Sequence, residues 1–433
     1  MPVNQQPIEL NRDFQYALDR MERSTDLLFI TGRAGTGKST LLQLFRSTTR
    51  KKVVVLAPTG VAALNVKGQT IHSFFGLPPR LIDRFKDIKR RRYRKLYEKL
   101  DTIVIDEISM VRADMLDNID YFLQINRDDP RPFGGVQMIF FGDLFQLPPV
   151  VSSNIEKQLF QTVYQSPYFF SSKVLETPTL EMIELQTVYR QKNRGFLRLL
   201  EAIRLNRIDY DDLDSLNTRH QKMEDKPDFA ITLSARNASV NAINKRELEA
   251  IPLPSKSYVA KVDGHFPDHL FPTDPILNLK LNAQVMFLRN DPDKKYVNGT
   301  IGKIVKLEDD SITVLLEEQY GEDKKYINVK KVEWEILKYK LDEQEFDKIS
   351  TETLGTFKQY PLRLAWAVTI HKAQGKTFDK VVIDLGKGAF AHGQTYVALS
   401  RCRTLDGIVL KQPLRPQDIM TDERVVNYYE RMQ

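Results

Sequence analysis

A single cysteine, Cys402, in 433 residues excludes an internal disulfide and any Cys-rich zinc site, and suits a reducing compartment. Long apolar runs are missing too, and none approaches the roughly 20 residues that span a bilayer. The first residues, Met-Pro-Val-Asn-Gln-Gln, hold neither a signal-peptide core nor an Arg-rich amphipathic presequence. No low-complexity tract or short-period repeat is visible. These absences point to a cytoplasmic or nucleoid-associated protein without a membrane partner. What is present is ordinary for a globular chain, with 42% hydrophobic and 28% charged residues, at a length that exceeds one domain. The net charge of +7, modest over this length, leans toward a polyanionic partner.

Against that background stands Gly32-Arg-Ala-Gly-Thr-Gly-Lys-Ser-Thr40. An apolar run, Leu27 to Ile30, precedes it, and a helix-like segment, Leu41 to Phe45, follows. Strand, loop and helix with the spacing Gly32-x4-Gly37-Lys38-Ser39 make a phosphate-binding loop. Gly32, Gly35 and Gly37, with Ala34 and Thr36 between them, let backbone N–H groups and the helix N-terminus face an anion. Lys38 then neutralises the β- and γ-phosphates, while Ser39, next to Thr40, ligates Mg²⁺. The expectation is a nucleoside triphosphate site, with ATP and Mg²⁺ as cofactors. Upstream, Leu10 to Leu18 reads as a short capped helix. Gln15 on it suits an adenine edge, although an exposed Gln on an amphipathic helix reads equally well.

Further strands end in polar groups. Val53–Ala57 is a buried parallel strand by composition and runs into Pro58-Thr59-Gly60. Open α/β sheets place ligands beyond the carboxyl ends of their strands, which makes this turn a candidate contact surface. Thr70-Ile-His-Ser-Phe-Phe75 sets His72 beside Phe74 and Phe75, a pattern that also fits a core histidine. From Arg80 to Lys99 there are ten Lys or Arg residues with Phe85, Tyr93 and Tyr97 interleaved. That reads as a basic helical insertion following a nucleic-acid backbone, or as a solvated helix face. Ile103-Val-Ile-Asp-Glu107 ends in adjacent carboxylates, where Asp106 can hold Mg²⁺ and Glu107 can deprotonate the attacking water. Met138–Asp143 leads to Gln146, whose amide is placed to sense the γ-phosphate. The order of these parts predicts a parallel doubly wound lobe.

A second α/β lobe is expected beyond about residue 180. Leu185–Arg190 opens it, and Ile231–Ala235 supplies a strand. Prolines at 252, 254, 267, 272 and 275 mark an excursion. Short β-like runs fill Asn282 to about Lys340, with Asn298-Gly299 as a hairpin turn. The lobe resumes near Arg363 with Ala365–Lys372, then Val381–Leu385, Tyr396–Arg403 and Gly407–Lys411. Arg190 and Arg401 are candidates for arginines supplied across a cleft, an effect worth about 10³–10⁵ in rate. Spacing alone does not single them out.

Taken in order, these segments resemble the motifs of superfamily 1 helicases, specifically the PIF (petite integration frequency) DNA helicases, relatives of RecD. Gly32–Thr40 resembles motif I, Val53–Val61 motif Ia, Ile103–Glu107 motif II, and Gly142–Pro149 motif III. Leu185–Arg190 resembles motif IV, Thr369–Thr377 motif V, and Ala398–Arg403 motif VI. Ile108–Leu116 is similar to the family's own signature.

The resemblance implies two RecA-like P-loop lobes, one over 1–75 and 101–180, the other over 181–251 and 356–433. A small basic wedge-like insertion (76–100) and an insertion with a small Src-homology-type β-barrel (252–355) would interrupt them. It implies that Lys38, Asp106, Glu107, Gln146, Arg190 and Arg401 serve catalysis and that Gly375 adjoins ATP. Pro58, Thr59, Gly60, Thr70, His72, Phe74, Asn298, Thr369, His371 and Lys372 would lie near DNA. It further implies 5′→3′ translocation on single-stranded DNA and unwinding of duplex, forked and G-quadruplex DNA. A compact bacterial or phage-type protein is expected, a monomer able to associate on DNA. In the family's adenine motif a Gln usually falls four residues after the first Leu. Counted from Leu10 that position is Phe14, with Gln15 one later. Two other readings stay open: a DNA-stimulated ATPase that remodels protein–DNA complexes without separating strands, and a non-catalytic nucleic-acid-binding protein with a degenerate nucleotide fold.

Overall fold

The protein is described by a computed structural model covering residues 11–221, 227–293, 295–317, 325–342 and 348–433. Six parallel strands build the first sheet: β1 (Leu27–Gly32), β2 (Val53–Ala57), β3 (Gln69–Thr70), β4 (Thr102–Ile105), β5 (Gln137–Phe141) and β6 (Leu180–Leu185). Their order is β3-β2-β4-β5-β1-β6. β1, β4 and β5 are buried along their whole length, because both faces of a parallel sheet are covered. Alternate side chains serve different cores. Leu28 and Ile30 pack with Phe14, Met21, Leu41 and Phe45 from α1 (Arg12–Arg23) and α2 (Lys38–Thr48), whereas Phe29 joins the core on the opposite face with Ile103, Leu116 and Phe140. Each such side chain contributes roughly 1.5–3 kcal/mol on burial.

Helix α1 reaches Arg23, beyond the expected Leu18, because Phe14, Ala17 and Met21 continue the apolar stripe; Asn11 caps it by accepting the Phe14 N–H at 2.8 Å. Leu10 lies outside the described residues. β6 corrects the boundary expected at 180. It pairs in parallel with β1 from Leu27↔Leu180 to Gly32↔Leu185, so Leu185 closes the first sheet instead of opening the second lobe.

The second sheet has four parallel strands, in the order Ala367–Thr369, β7 (Ile231–Ser234), Val381–Asp384 and Ile408–Leu410. Between β7 and its neighbour Ala367–Thr369 the chain makes antiparallel structure. Five strands pair in the order Tyr326–Val329, Ile312–Leu316, Ile301–Leu307, Gln284–Phe287 and Leu362–Leu364. A long hairpin, Val332–Leu341 with Ile349–Gln359, adds the strand Lys261–Gly264. Since Leu362–Leu364 pairs with Gln284–Phe287, antiparallel structure runs past the expected end at 355. The hairpin leans on the first lobe, where the Tyr339 hydroxyl accepts the Val55 N–H at 3.1 Å.

Residues 76–100 carry two single-turn helices, Arg84–Asp87 and Lys95–Glu98. Several of the cations there are committed internally: Arg80 to Asp87 at 2.6 Å, Arg90 and Arg94 to Asp128, and Arg91 to the Phe75 carbonyl at 2.8 Å. Phe85 and Tyr93 are exposed, and Tyr97 is buried. The last helix, Glu423–Met432, crosses back onto the first lobe. Tyr428 stacks on Phe170 with centroids 4.2 Å apart, and the Tyr429 hydroxyl donates to Glu184 at 2.6 Å.

Candidate nucleotide site and DNA-facing surface

β1 ends at Gly32 and α2 begins at Lys38, so the loop between them lies at the carboxyl edge of the sheet. Gly35 and Gly37 take φ of +88° and +89°, a left-handed backbone that a side chain would strain. A Cβ on Gly35 would stand 2.5 Å from the Arg190 Cβ, and one on Gly37 would stand 2.8 Å from the Phe14 ring. The loop is thus pressed between α1 and the segment after β6. Lys38 Nζ reaches back to the carbonyls of Gly32 at 2.6 Å and Arg33 at 3.1 Å. Burial holds its pKa below the usual lysine value, with Asp143 and Glu107 opposing that shift. A loop held open by Gly35 and Gly37, an 11-residue helix N-terminus and one ammonium fit a triphosphate. Ser39 and Thr40 are exposed in the first turn of α2. Among the described residues no three His, Cys, Asp or Glu side chains are grouped to hold a metal. Ser39 and Asp106 are the donor types that suit Mg²⁺ carried on phosphates.

Asp106 and Glu107 follow β4. Asp106 donates its N–H to Leu56 O at 2.9 Å, which continues the ladder for one more residue. Glu107 leaves it at φ +53° and ψ +45°, a conformation that costs a non-glycine residue of order 1–3 kcal/mol and redirects its side chain. Glu107 Oε2 accepts the side-chain amide of Gln374, from the second lobe, at 2.9 Å. Burial pushes both carboxyl groups above the ordinary carboxylate range; for Glu107, Asp106 adds to the shift, and Lys38 opposes it.

Gln146 is buried, and its amide donates to Asp143 Oδ2 at 3.2 Å. Arg190 and Arg401 converge on the helix Gln394–Ser400. Arg190 Nη1 donates to Ser400 O at 3.1 Å, and Arg401 Nε donates to Val397 O at 2.9 Å. Burial, with Arg401 nearby, lowers the Arg190 pKa to about 9. Burial also lowers that of Arg401, and the field of Glu107 opposes it. Residues separated by hundreds of positions are therefore within electrostatic reach of one another.

Several site residues escape sequence reasoning. Gln374 and Asp143 stand inside motifs but carry no local signal, since a lone Gln or Asp at a strand or turn end is commonplace. On the α1 side it is Phe14 whose ring packs on Gly37, while Gln15 is exposed about 100° further round the helix. Asn11 Nδ2 donates to Thr187 Oγ1 and Tyr189 Oη, both at 3.1 Å, and these polar groups border the loop where Gln15 was expected. Gly375 has φ +76°, and a Cβ there would meet nothing within 4 Å.

The residues expected near DNA divide. Thr59 just beyond a parallel strand, and Thr70 and Thr369 at the ends of theirs, each cap a short helix: Oγ1 accepts from Ala62, Ser73 and Lys372 N–H groups at 3.2, 3.2 and 3.3 Å. Pro58 leads into the first of these caps. Gly60 is covered by the insertion, because a Cβ on it would strike the Leu270 side chain at 2.1 Å. His371 and Lys372 are exposed, and His72 is half-buried with no hydrogen bond at Nδ1. Partial desolvation by the surrounding protein lowers the pKa of all three, even where the side chain reaches solvent. Asn298 gives its N–H to Asn290 Oδ1 at 2.8 Å. The expectation of Phe74 near DNA is corrected to a core position: it is 5% exposed and edge-on to Phe75, Tyr97 and Tyr339, so its ring presents no face to a base.

Residues 10–212 match the PIF1-like helicase family. Over 100% of its length the chain is 32% identical to the ATP-dependent DNA helicase Pif1 of Bdellovibrio bacteriovorus, of which 94% is covered. It is 33% identical over 93% of its length to human ATP-dependent DNA helicase PIF1, but spans only 60% of that protein. Bacteroides sp. Pif1 in complex with ADP-AlF4 superposes with a TM-score of 0.90 at 35% identity, covering 98% of this chain and 96% of that one. Bacteroides Pif1 bound to single-stranded DNA gives a TM-score of 0.68 at the same identity and over the same shares of the two chains. With identity at this level maintained from end to end, the chain belongs to the PIF1-like helicase family and is an ATP-hydrolysing DNA helicase.

Proposed function

We propose that this helicase translocates 5′→3′ on single-stranded DNA and unwinds duplex, forked and G-quadruplex DNA by cyclic closure of the cleft between its lobes. The observation that carries the cleft-closure part of this reading is the hydrogen bond from Gln374, on the second lobe, to Glu107, on the first; the polarity and the range of DNA substrates follow from the family resemblance. A general base held by the opposite lobe is oriented only when the cleft is closed. Bound ATP with Mg²⁺ supplies the scissile phosphoanhydride and a divalent charge on its phosphates. Lys38 turns from the loop carbonyls to the phosphates, Ser39 and Asp106 would hold the cation, and Glu107 takes the proton of the attacking water. Gln146 orients that water. Arg190 and Arg401 spread their charge over the developing phosphoryl oxygens.

On DNA, Thr59, Thr70 and Thr369 are well suited to phosphate. Each hydroxyl accepts a bond from its own helix and keeps a proton to donate. Together with His72, His371, Lys372 and Asn298 they would give sequence-independent affinity that falls with salt. The antiparallel insertion is read as the family's Src-homology-type barrel. Single-stranded DNA as a partner is supported by Bacteroides Pif1 bound to single-stranded DNA, and forked duplex by the similar Pif1 structure at forked DNA; the G-quadruplex part of the proposal rests on the sequence resemblance alone. The test is ATP-dependent unwinding of duplexes carrying a 5′ or a 3′ single-stranded tail, with turnover recorded alongside. Unwinding from the 5′ tail alone is expected. A 3′ preference overturns the polarity, and turnover without unwinding favours a remodelling role.

A further inference from the structure

Tyr396 stands where three parts of the site meet. Its hydroxyl oxygen accepts the N–H of Ala34, in the phosphate loop, at 3.1 Å, and its proton points to Asp143 Oδ2 at 3.3 Å. That carboxylate is a hub. It also accepts the Gln146 side-chain amide at 3.2 Å and the Phe145 N–H at 3.2 Å, and it faces Arg204 Nε at 3.5 Å. Asp143 is 1% exposed, and Arg204 lies between the rings of Phe145 and Tyr429, 4.3 and 4.9 Å from their centroids. Tyr396 belongs to the second-lobe helix Gln394–Ser400, which leads directly into Arg401. A Cβ on Gly393, at the head of this helix, would stand 2.3 Å from Gln146 O, so the helix start and the Gln146 loop are in contact. One phenol thus ties the phosphate loop and the Gln146 loop of the first lobe to the arginine-bearing helix of the second.

We propose that Tyr396 is a positioning residue for ATP hydrolysis, its hydroxyl registering lobe closure by joining the Ala34 amide to the carboxylate that orients Gln146. Ala34 N–H is a donor of the loop that cradles phosphate, and the phenol oxygen holds that donor in place. When the lobes part, Tyr396 leaves both partners, and Asp143 loses one of the bonds that fix it against Gln146. The inference rests on the roles proposed above for the cleft cycle and for Gln146.

Tyr396→Phe removes the hydroxyl and keeps the ring. With saturating single-stranded DNA its kcat is expected to fall about 10- to 100-fold, the range of one hydrogen bond to a charged group, while KM for ATP changes less than about three-fold. Combining it with Gln146→Ala should cost no more than the worse single variant, because both act through the Asp143 carboxylate. A merely structural hydroxyl would lower the melting temperature and leave kcat of the folded fraction near wild type. Should Tyr396→Phe melt below the assay temperature, both proteins are assayed at a temperature below its melting point, where the same split is expected. A kcat within about two-fold of wild type, or losses that multiply in the double variant, overturns the proposal. Lys38→Ala, run in parallel, tests the nucleotide reading separately: turnover surviving in that variant would remove the loop itself from the reaction.

Discussion

Glu107 combines a strained backbone, burial and a partner from the opposite lobe, and its chemistry follows from that combination. Glu107→Gln should retain ATP and DNA binding while turnover falls at least 100-fold, measured by nucleotide binding and phosphate release. Burial and Asp106 raise its pKa, so the proton-accepting form gains population as pH rises toward and past neutrality, and wild-type turnover should rise over that span. The rising limb should vanish in Glu107→Gln; persistence would assign it to another group. Phe74 gives a sharper contrast. Stacking on a base would make its loss cost about 1–3 kcal/mol of DNA affinity. As a core residue, Phe74→Leu should instead cost about 1–2 kcal/mol of stability. Its affinity for single-stranded DNA, read by fluorescence anisotropy, should stay within about two-fold of wild type. Lys38, Asp106 and Glu107 were legible because a loop or strand end carries their chemistry in adjacent residues. Gln374 and Tyr396 were not, because their partners Glu107 and Asp143 lie 267 and 253 positions away. Phe74 was misread because an aromatic beside a histidine looks the same in a core as on a binding face.

Among the elements, the helix Asn154–Thr162 is a case where local chemistry sets stability. Ser153 Oγ accepts the Glu156 N–H at 3.1 Å, and Glu156 Oε2 accepts the N–H groups of Ser153 and Ser152, both at 3.0 Å. The bond from Ser153, with those from Ser152 and Arg112, holds the Glu156 carboxyl down at about 2. Its folded value lies below the ordinary ~4.3, so its contribution is full above that pH and fades as pH falls from there toward 2. Glu156→Gln should lower stability by about 0.5–2 kcal/mol at neutral pH and flatten the acid side of the stability curve, measured by denaturant titration at several pH values. Equal slopes for both proteins would show that the carboxylate is not the group that titrates. β6 shows what a linear reading misses. Its two glutamates, Glu181 and Glu184, fall on opposite faces and suit an edge strand, but which sheet receives it depends on β1, about 150 positions earlier. β1, β2, β4 and β5 were readable in place because continuous β-branched and aromatic runs need cover on both faces.

For the whole molecule, the superpositions separate two arrangements of Bacteroides Pif1, 0.90 with ADP-AlF4 and 0.68 with single-stranded DNA. The present structure has the long hairpin resting on the first lobe through Tyr339, which also donates its N–H to Gln69 Oε1 at 3.2 Å. If DNA binding requires the hairpin to leave that seat, Tyr339→Phe should strengthen single-stranded DNA binding about 2- to 10-fold at fixed salt, because one seat hydrogen bond is lost. Unchanged or weaker binding would mean that the hairpin stays where it is. The last helix, Glu423–Met432, carries a different consequence, one of timing. During synthesis it emerges after every other described element, yet it covers Phe145 and Phe170 of the first lobe and completes the burial of Arg204. The first sheet can therefore form early, but the rings of Phe145 and Phe170 and the Arg204 guanidinium stay open to solvent until the helix arrives. The last described element to leave the ribosome is thus also the one that seals the joint between the lobes.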